Sequence, residues 1–442
     1  MKSKFIKSTF ILIIGGAITK LMAMIIKIFL TRVVGDKGIG LYMLIMPTFN
    51  LFITLATLSL PTSISKVVSV GKSGKKVVLS IIPISILYNI CLMILLIVFA
   101  PFIANKLLNN PDTYLPIMGI SFTLPFICIS SILKGYFYGH ERMIPYVVSN
   151  NLEQIIRLLF IIFLIPKLMT YGINIAVLGV VLINIVSEFS SIICLILFIK
   201  NKKMNISDLR LDKEIFKDIL NISLSATGSR FIGSISYFLE PVILTFIMIR
   251  CGYTNNYITS EYGIITGYIF PLLLIPSFFT MAISTSLLPV IANNYARGNK
   301  LYTQKKLHQA ISLSLAVGIF FTIIFMIIPD ILLKFIYNTT LGVNYIRIVA
   351  PLFLIHYIQG PLTSYMQGVN MAKEAMMGTL KGAIIKNILL IILPIYMGMW
   401  GFIIASIVNI FYVTFHHVYY IRKLFNQTWY FIYNIFFSFI IR

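Results

Sequence analysis

Acidic side chains are scarce in this 442-residue chain: 13 aspartates and glutamates stand against 36 lysines and arginines, and charged residues of all kinds make up 11%. So few charges cannot cover a water-soluble protein of this length. A hydrophobic content of 59% and a mean hydropathy of +0.94 instead fit a chain solvated by lipid. Cysteine is also scarce. Cys91, Cys128, Cys194 and Cys251 are scattered, with neither metal-ligand spacing nor a disulfide pattern. Catalytic motifs are missing. GKS at 71–73 has Lys66 where a P-loop needs its first glycine, and His140-Glu141 has no histidine three residues further on. Gly233-Ser234 completes no nucleophile elbow, and the pair His416-His417 has no carboxylate partner in the sequence pattern. A membrane glycosyltransferase would need acidic metal ligands and large loops, which are absent as well. The sequence therefore reads as a non-enzyme that calls for no cofactor and no metal.

What the chain has is long apolar runs. Twelve reach the ~20 residues that span hydrocarbon: residues 8–31, 41–63, 77–104, 114–138, 146–168, 173–199, 216–249, 263–293, 308–329, 345–369, 375–397 and 400–421. A partial thirteenth run, 429–441, is too short to span; it is either an interfacial helix or the start of a span found whole in a longer relative. No small-residue cleavage site follows MKSKFIK, so the first run is expected to be a retained helix. With the N-terminus in the cytoplasm, 21 lysines and arginines fall in or beside cytoplasmic segments and seven outside. That bias satisfies the positive-inside rule for a multi-pass protein of the bacterial cell membrane. The basic charge is topological, and nucleic acid is not an expected partner.

The most polar stretch, KNKKMNISDLRLDKEIFKD at 200–218, divides the runs six and six. The expected organisation is an N-terminal six-helix lobe at 1–203, a cytoplasmic linker at 204–218, a C-terminal six-helix lobe at 219–423 and an extra segment at 424–442. Three internal matches point to duplication. GLYMLIMP ending at Pro47 resembles GIITGYIFP ending at Pro271; KGYFYGHERMIP (134–145) resembles QGVNMAKEAMMG (367–378); PKLMTYG (166–172) resembles PIYMGMWG (394–401). The fold class is thus an all-α polytopic membrane protein of two pseudo-symmetric bundles.

Seven cations fall inside the apolar runs: Lys20, Lys27, Lys66, Arg157, Arg230, Lys381 and Lys386. A charge in lipid costs at least ~2.5 kcal/mol, so such residues face a watery cavity or a partner. Lys66 stands near a cytoplasmic end and snorkels. Arg157 follows Glu153 by four residues, the spacing of an intrahelical ion pair. Arg230 is expected to answer Glu240, ten residues on. Lys20 and Lys27, almost two turns apart, share one helix face. The clear intramembrane acids are Glu153, Glu188 and Glu240, candidates for charge pairing or ion coupling. Seven cations against three acids leave the interior electropositive, which suits an anionic substrate.

Several stretches carry a family resemblance: TRVVGDKGIGLYMLIMPTFNLF (31–52), LSLPTSISKVVS (58–69), ILKGYFYGHERMIPYVVSNNLEQIIR (132–157) and FFTMAISTSLLPVIANNYARGN (278–299). They resemble the oligosaccharide-lipid flippase branch of the multidrug/oligosaccharidyl-lipid/polysaccharide exporter (MOP) superfamily, near its spore-protein and lipid II flippase members. The resemblance implies two six-helix bundles forming a V around a central cavity. It also implies alternating access that carries an undecaprenyl-pyrophosphate-linked saccharide to the outer leaflet. Lys20 and Lys27 then sit on the first span, where such flippases hold cavity cations, with Arg230 opposite; Arg157, Lys381 and Lys386 are further candidates for the pyrophosphate. The expected partners are a lipid-linked anionic saccharide and the bilayer, the expected state a monomer. The coupling ion, sodium or proton, stays open. So do two alternatives: a MATE-like drug exporter, which would need acids lining its cavity, and a non-transporting scaffold of envelope assembly.

Overall fold

The structure, a computed structural model, describes residues 2–69, 73–199 and 213–425. Most of the polar linker (204–212) and the short apolar segment at 429–441 lie outside the described residues. Among the described residues every regular element is helical, in the order α1 (Lys2–Thr57), α2 (Leu60–Ser69), α3 (Gly74–Phe102), α4 (Tyr114–Gly139), α5 (Met143–Met169), α6 (Ile173–Leu197), α7 (Lys213–Arg250) and α8 (Asn255–Gly263). There follow α9 (Phe270–Leu273), α10 (Ile275–Ala296), α11 (Lys300–Ile327), α12 (Pro329–Tyr337), α13 (Val343–Tyr357), α14 (Gln359–Gly368), α15 (Ala372–Met397) and α16 (Met399–Phe425). Nine helical stretches among the described residues are long and apolar enough to cross a membrane.

The first of these holds two expected spans. α1 has 56 residues, and a straight helix of that length would run about 84 Å, more than twice the hydrocarbon thickness. Gly35 breaks it with φ 66° and ψ −173°. Open space surrounds the position of a Cβ there, so the backbone conformation rather than crowding calls for glycine. The expected run 345–369 is likewise two helices, α13 and α14, meeting at Ile358, and 263–293 is a π-helical turn followed by α9 and α10. Pro271 and Pro276 occupy the first turns of α9 and α10, where a missing N–H costs nothing.

The chain packs as two compact units. The first comprises residues up to Phe246 together with Thr254–Gly263; the second comprises Ile247–Tyr253 and the chain from Ile264. Packing thus keeps most of α7 with the first unit, whereas the repeat pattern assigns 219–423 to the second half. The reason is visible in side chains. Thr54 and Ser234 share a hydrogen bond of 2.8 Å, Thr227 donates to Ser59 at 3.3 Å and Ser223 to Ser63 at 2.8 Å, a row of buried hydroxyls joining α7 to α1 and α2.

Matched sequence positions do matched jobs within each unit. In the first, α2 lies on α4 around Ile64, Ile132 and Phe137, and α5 pairs with α6. In the second, α10 lies on α14 around Ile291, Leu362 and Tyr365, and α15 pairs with α16. Gly135 and Gly368, paired by the repeat, are the contact points. A Cβ on Gly135 would stand 2.9 Å from Cα of Pro61, and one on Gly368 would stand 2.8 Å from Cγ2 of Ile291.

The difference between those neighbours sets an expectation. Backbone cannot retreat as a side-chain methyl can, so Gly135→Ala should cost about 1–3 kcal/mol through overpacking and Gly368→Ala less. Thermal unfolding of the purified variants in detergent checks this; equal losses would contradict it.

Candidate substrate cavity

The first unit encloses a cavity of about 520 Å³, bordered by Lys27 and Tyr42 of α1, Ile127 of α4, Glu153 and Arg157 of α5, Asn184 and Glu188 of α6, and Tyr237 of α7. Helical periodicity places these groups. Glu153 and Arg157 are one turn apart on α5, as are Asn184 and Glu188 on α6, so each pair projects from one face. Apolar residues such as Met43, Phe49 and Ile161 fill the rest of the wall.

A charged network crosses three helices here. Arg157 donates from Nη2 to Oε1 of Glu153 at 2.8 Å, the expected i, i+4 pair. It also reaches Gln154 Oε1 and Ser187 Oγ, each at 3.4 Å. Lys134 of α4 donates from Nζ to the other oxygen of Glu153, Oε2, at 3.1 Å, and lies 3.8 Å from Oε2 of Glu188. Both oxygens of Glu153 are thereby taken. Oε2 of Glu188 is buried with no hydrogen bond, and so is Nε of Arg157. Each carboxylate residue is only 7% exposed. Charges this far from water persist only when paired.

The structure brings four of the ten singled-out residues to this cavity: Lys27, Arg157, Glu153 and Glu188. Lys20 is exposed on α1, two turns before Lys27, next to Thr19, which donates to Asn151 of α5 at 3.1 Å. Arg230 is exposed on α7 and outside the cavity wall. Ten helical residues, about 15 Å, separate it from Glu240. Glu240 is buried and accepts the Tyr262 hydroxyl at 3.3 Å. In the second unit Lys381 is exposed on α15, and Lys386 lies 5.2 Å above the ring of Phe402. Lys66 is exposed in the last turn of α2, suited to snorkelling. His417 is held by Thr363 and the Ala375 carbonyl.

Lys134 is the residue that sequence reasoning passes over. It stands within two turns of the end of α4, among residues that read as the approach to a loop. No spacing along the chain marks it, because its partners Glu153 and Glu188 stand on α5 and α6.

Residues 5–295 match the family model described as "Polysaccharide biosynthesis protein", and residues 234–393 match the MatE model. Stage V sporulation protein B of Bacillus subtilis (strain 168) is 32% identical over 437 residues, covering 96% of this chain and 84% of that protein. The lipid II flippase MurJ of the same organism is 24% identical over 447 residues, covering 92% and 80%. A solved structure of lipid II flippase MurJ, in an inward closed conformation, superposes with a TM-score of 0.71 at 15% identity, covering 92% of this chain and 87% of that one. At such identity the likeness speaks for the fold. With a family match over more than half its length and a relative above 30% identity along nearly all of it, this chain belongs to the polysaccharide biosynthesis protein family, within the MOP superfamily of membrane transporters.

Proposed function

We propose that this transporter is a flippase, moving an undecaprenyl-pyrophosphate-linked saccharide from the inner to the outer leaflet by alternating access. The reading takes the chain as a monomer of the bacterial cell membrane with its N-terminus in the cytoplasm. The observation that carries it is the charge of the cluster at the cavity. Lys27 and Arg157 line it beside Glu153 and Glu188, and Lys134, outside the lining, holds the second oxygen of Glu153, so the cluster carries three cations against two carboxylates. An entering diester pyrophosphate would meet a point charge at Lys27 and a forked donor at Arg157, whose Nε has no partner. Lys20, about 10 Å further along α1, would extend that cationic track toward the N-terminus. The likeness to stage V sporulation protein B and to lipid II flippase MurJ supports a cargo destined for cell-wall, spore-cortex or polysaccharide assembly.

A second reading has one observation behind it, the MatE match over 234–393. An exporter of organic cations would need carboxylates in excess at its cavity, whereas here the lining carries two of each sign and Lys134 behind Glu153 makes the cluster net positive.

The test is complementation of a flippase-depleted bacterium, read by access to the lipid-linked precursor at the outer face. Lys27→Gln should lower flipping about tenfold or more while membrane insertion holds, since one charge-assisted bond is worth roughly 1.5–3 kcal/mol. Arg157→Lys should retain part of the activity, because charge survives and the fork does not. Full activity in Lys27→Gln would overturn the reading. Lys134→Met should act differently: by leaving Glu188 and half of Glu153 without a cation it should cost about 3–5 kcal/mol of stability, seen as a lower inserted yield and unfolding midpoint.

A further inference from the structure

The two carboxylates of the cavity are not equivalent. Glu153 has a donor on each oxygen, whereas Glu188 has a buried Oε2 without a hydrogen bond and shares Lys134 at 3.8 Å, beyond bonding distance. The charged and titratable groups around it come from every packed element: Lys134 on α4, Glu153 and Arg157 on α5, Lys27 and Tyr42 on α1, and Tyr237 on α7. We propose that Glu188 is a proton-binding site of the cavity, loaded when an anion binds to Lys27 and Arg157. This rests on the anionic-substrate reading above and adds the ion that accompanies it.

The steps follow from the geometry. An anion that draws Arg157 toward itself loosens the bond to Oε1 of Glu153. Glu153 then leans on Lys134 alone, and Lys134, already at 3.1 Å from it, moves further from Glu188. A buried carboxylate deprived of its cation holds its charge poorly. Glu188 therefore takes a proton from water in the cavity: an O–H bond forms on the carboxylate, the donor water species loses that proton, and no electrons change hands. Release of the anion returns Arg157 to Glu153 and Lys134 toward Glu188, and the proton leaves. The coupling is reciprocal, so binding strengthens as pH falls.

The probe is UDP-N-acetylglucosamine, whose diester pyrophosphate keeps its charge through the neutral range. It is titrated into the purified full chain in detergent, by calorimetry in two buffers of different ionisation heat. The wild type should take up about one proton per bound probe. Glu188→Gln, which imitates the protonated side chain, should bind with no proton uptake and lose the pH dependence. Equal uptake in wild type and Glu188→Gln, or binding to wild type without uptake, overturns the inference and leaves the anion reading intact. Failure of the wild type to bind the probe overturns both. A Glu188→Gln protein that inserts but unfolds also overturns it, because a neutral side chain at 188 would then not be a stable state.

Discussion

The first unit is organised by the need to keep charge out of lipid. α4, α5 and α6 each bring an ionised residue to a place largely withdrawn from bulk water, and their mutual pairing makes that tolerable. Lys134 sets the register of α4 against α5, and Arg157 with Ser187 that of α5 against α6. Apolar packing in a bilayer is a weak guide to which helix faces which, because the tails of lipids are as apolar as the side chains. A network with fixed donors and acceptors supplies that specificity. The same network leaves a polar hollow in the middle of an apolar bundle, so one constraint produces both the packing and the cavity.

How much of this was legible in the sequence depended on whether a feature is local. Long apolar runs mark helices because hydrocarbon sets their length, and the described helices follow those runs closely. Glu153 and Arg157 could be paired on paper because their spacing is one helical turn. Lys134 could not, since its partners stand on other helices, and its place near the end of α4 read as the approach to a loop. Arg230 and Glu240 failed for the opposite reason: they share a helix, but ten residues put them too far apart to meet along it. The break between the first two runs was legible, since Gly35 lies between them and its left-handed backbone separates the two halves of α1; that helix resumes at once on both sides of it was not.

The repeat was more legible than its use. Gly135 and Gly368 could be aligned from their neighbours in sequence. That one meets backbone and the other a side chain became visible only in the packing. Duplication copies a contact, and the two copies then drift in how much substitution they tolerate.

The hydroxyl row between α7 and the α1–α2 segment has a further consequence. Such bonds between spans are worth about 0.6 kcal/mol each, so each one alone holds with about the thermal energy and the three together with only about 2 kcal/mol. Thr54 also donates to the Asn50 carbonyl at 2.9 Å, and Ser63 to the Ser59 carbonyl at 3.3 Å, both one turn back on their own segment. If the row opens, the hydroxyls of Thr54 and Ser63 therefore keep an acceptor on their own segment. The row behaves like a hook-and-loop fastening with unequal sides: opening it leaves the α1–α2 hydroxyls bonded, while Ser223 and Thr227 of α7 give up the acceptors they donate to, which favours closing it again.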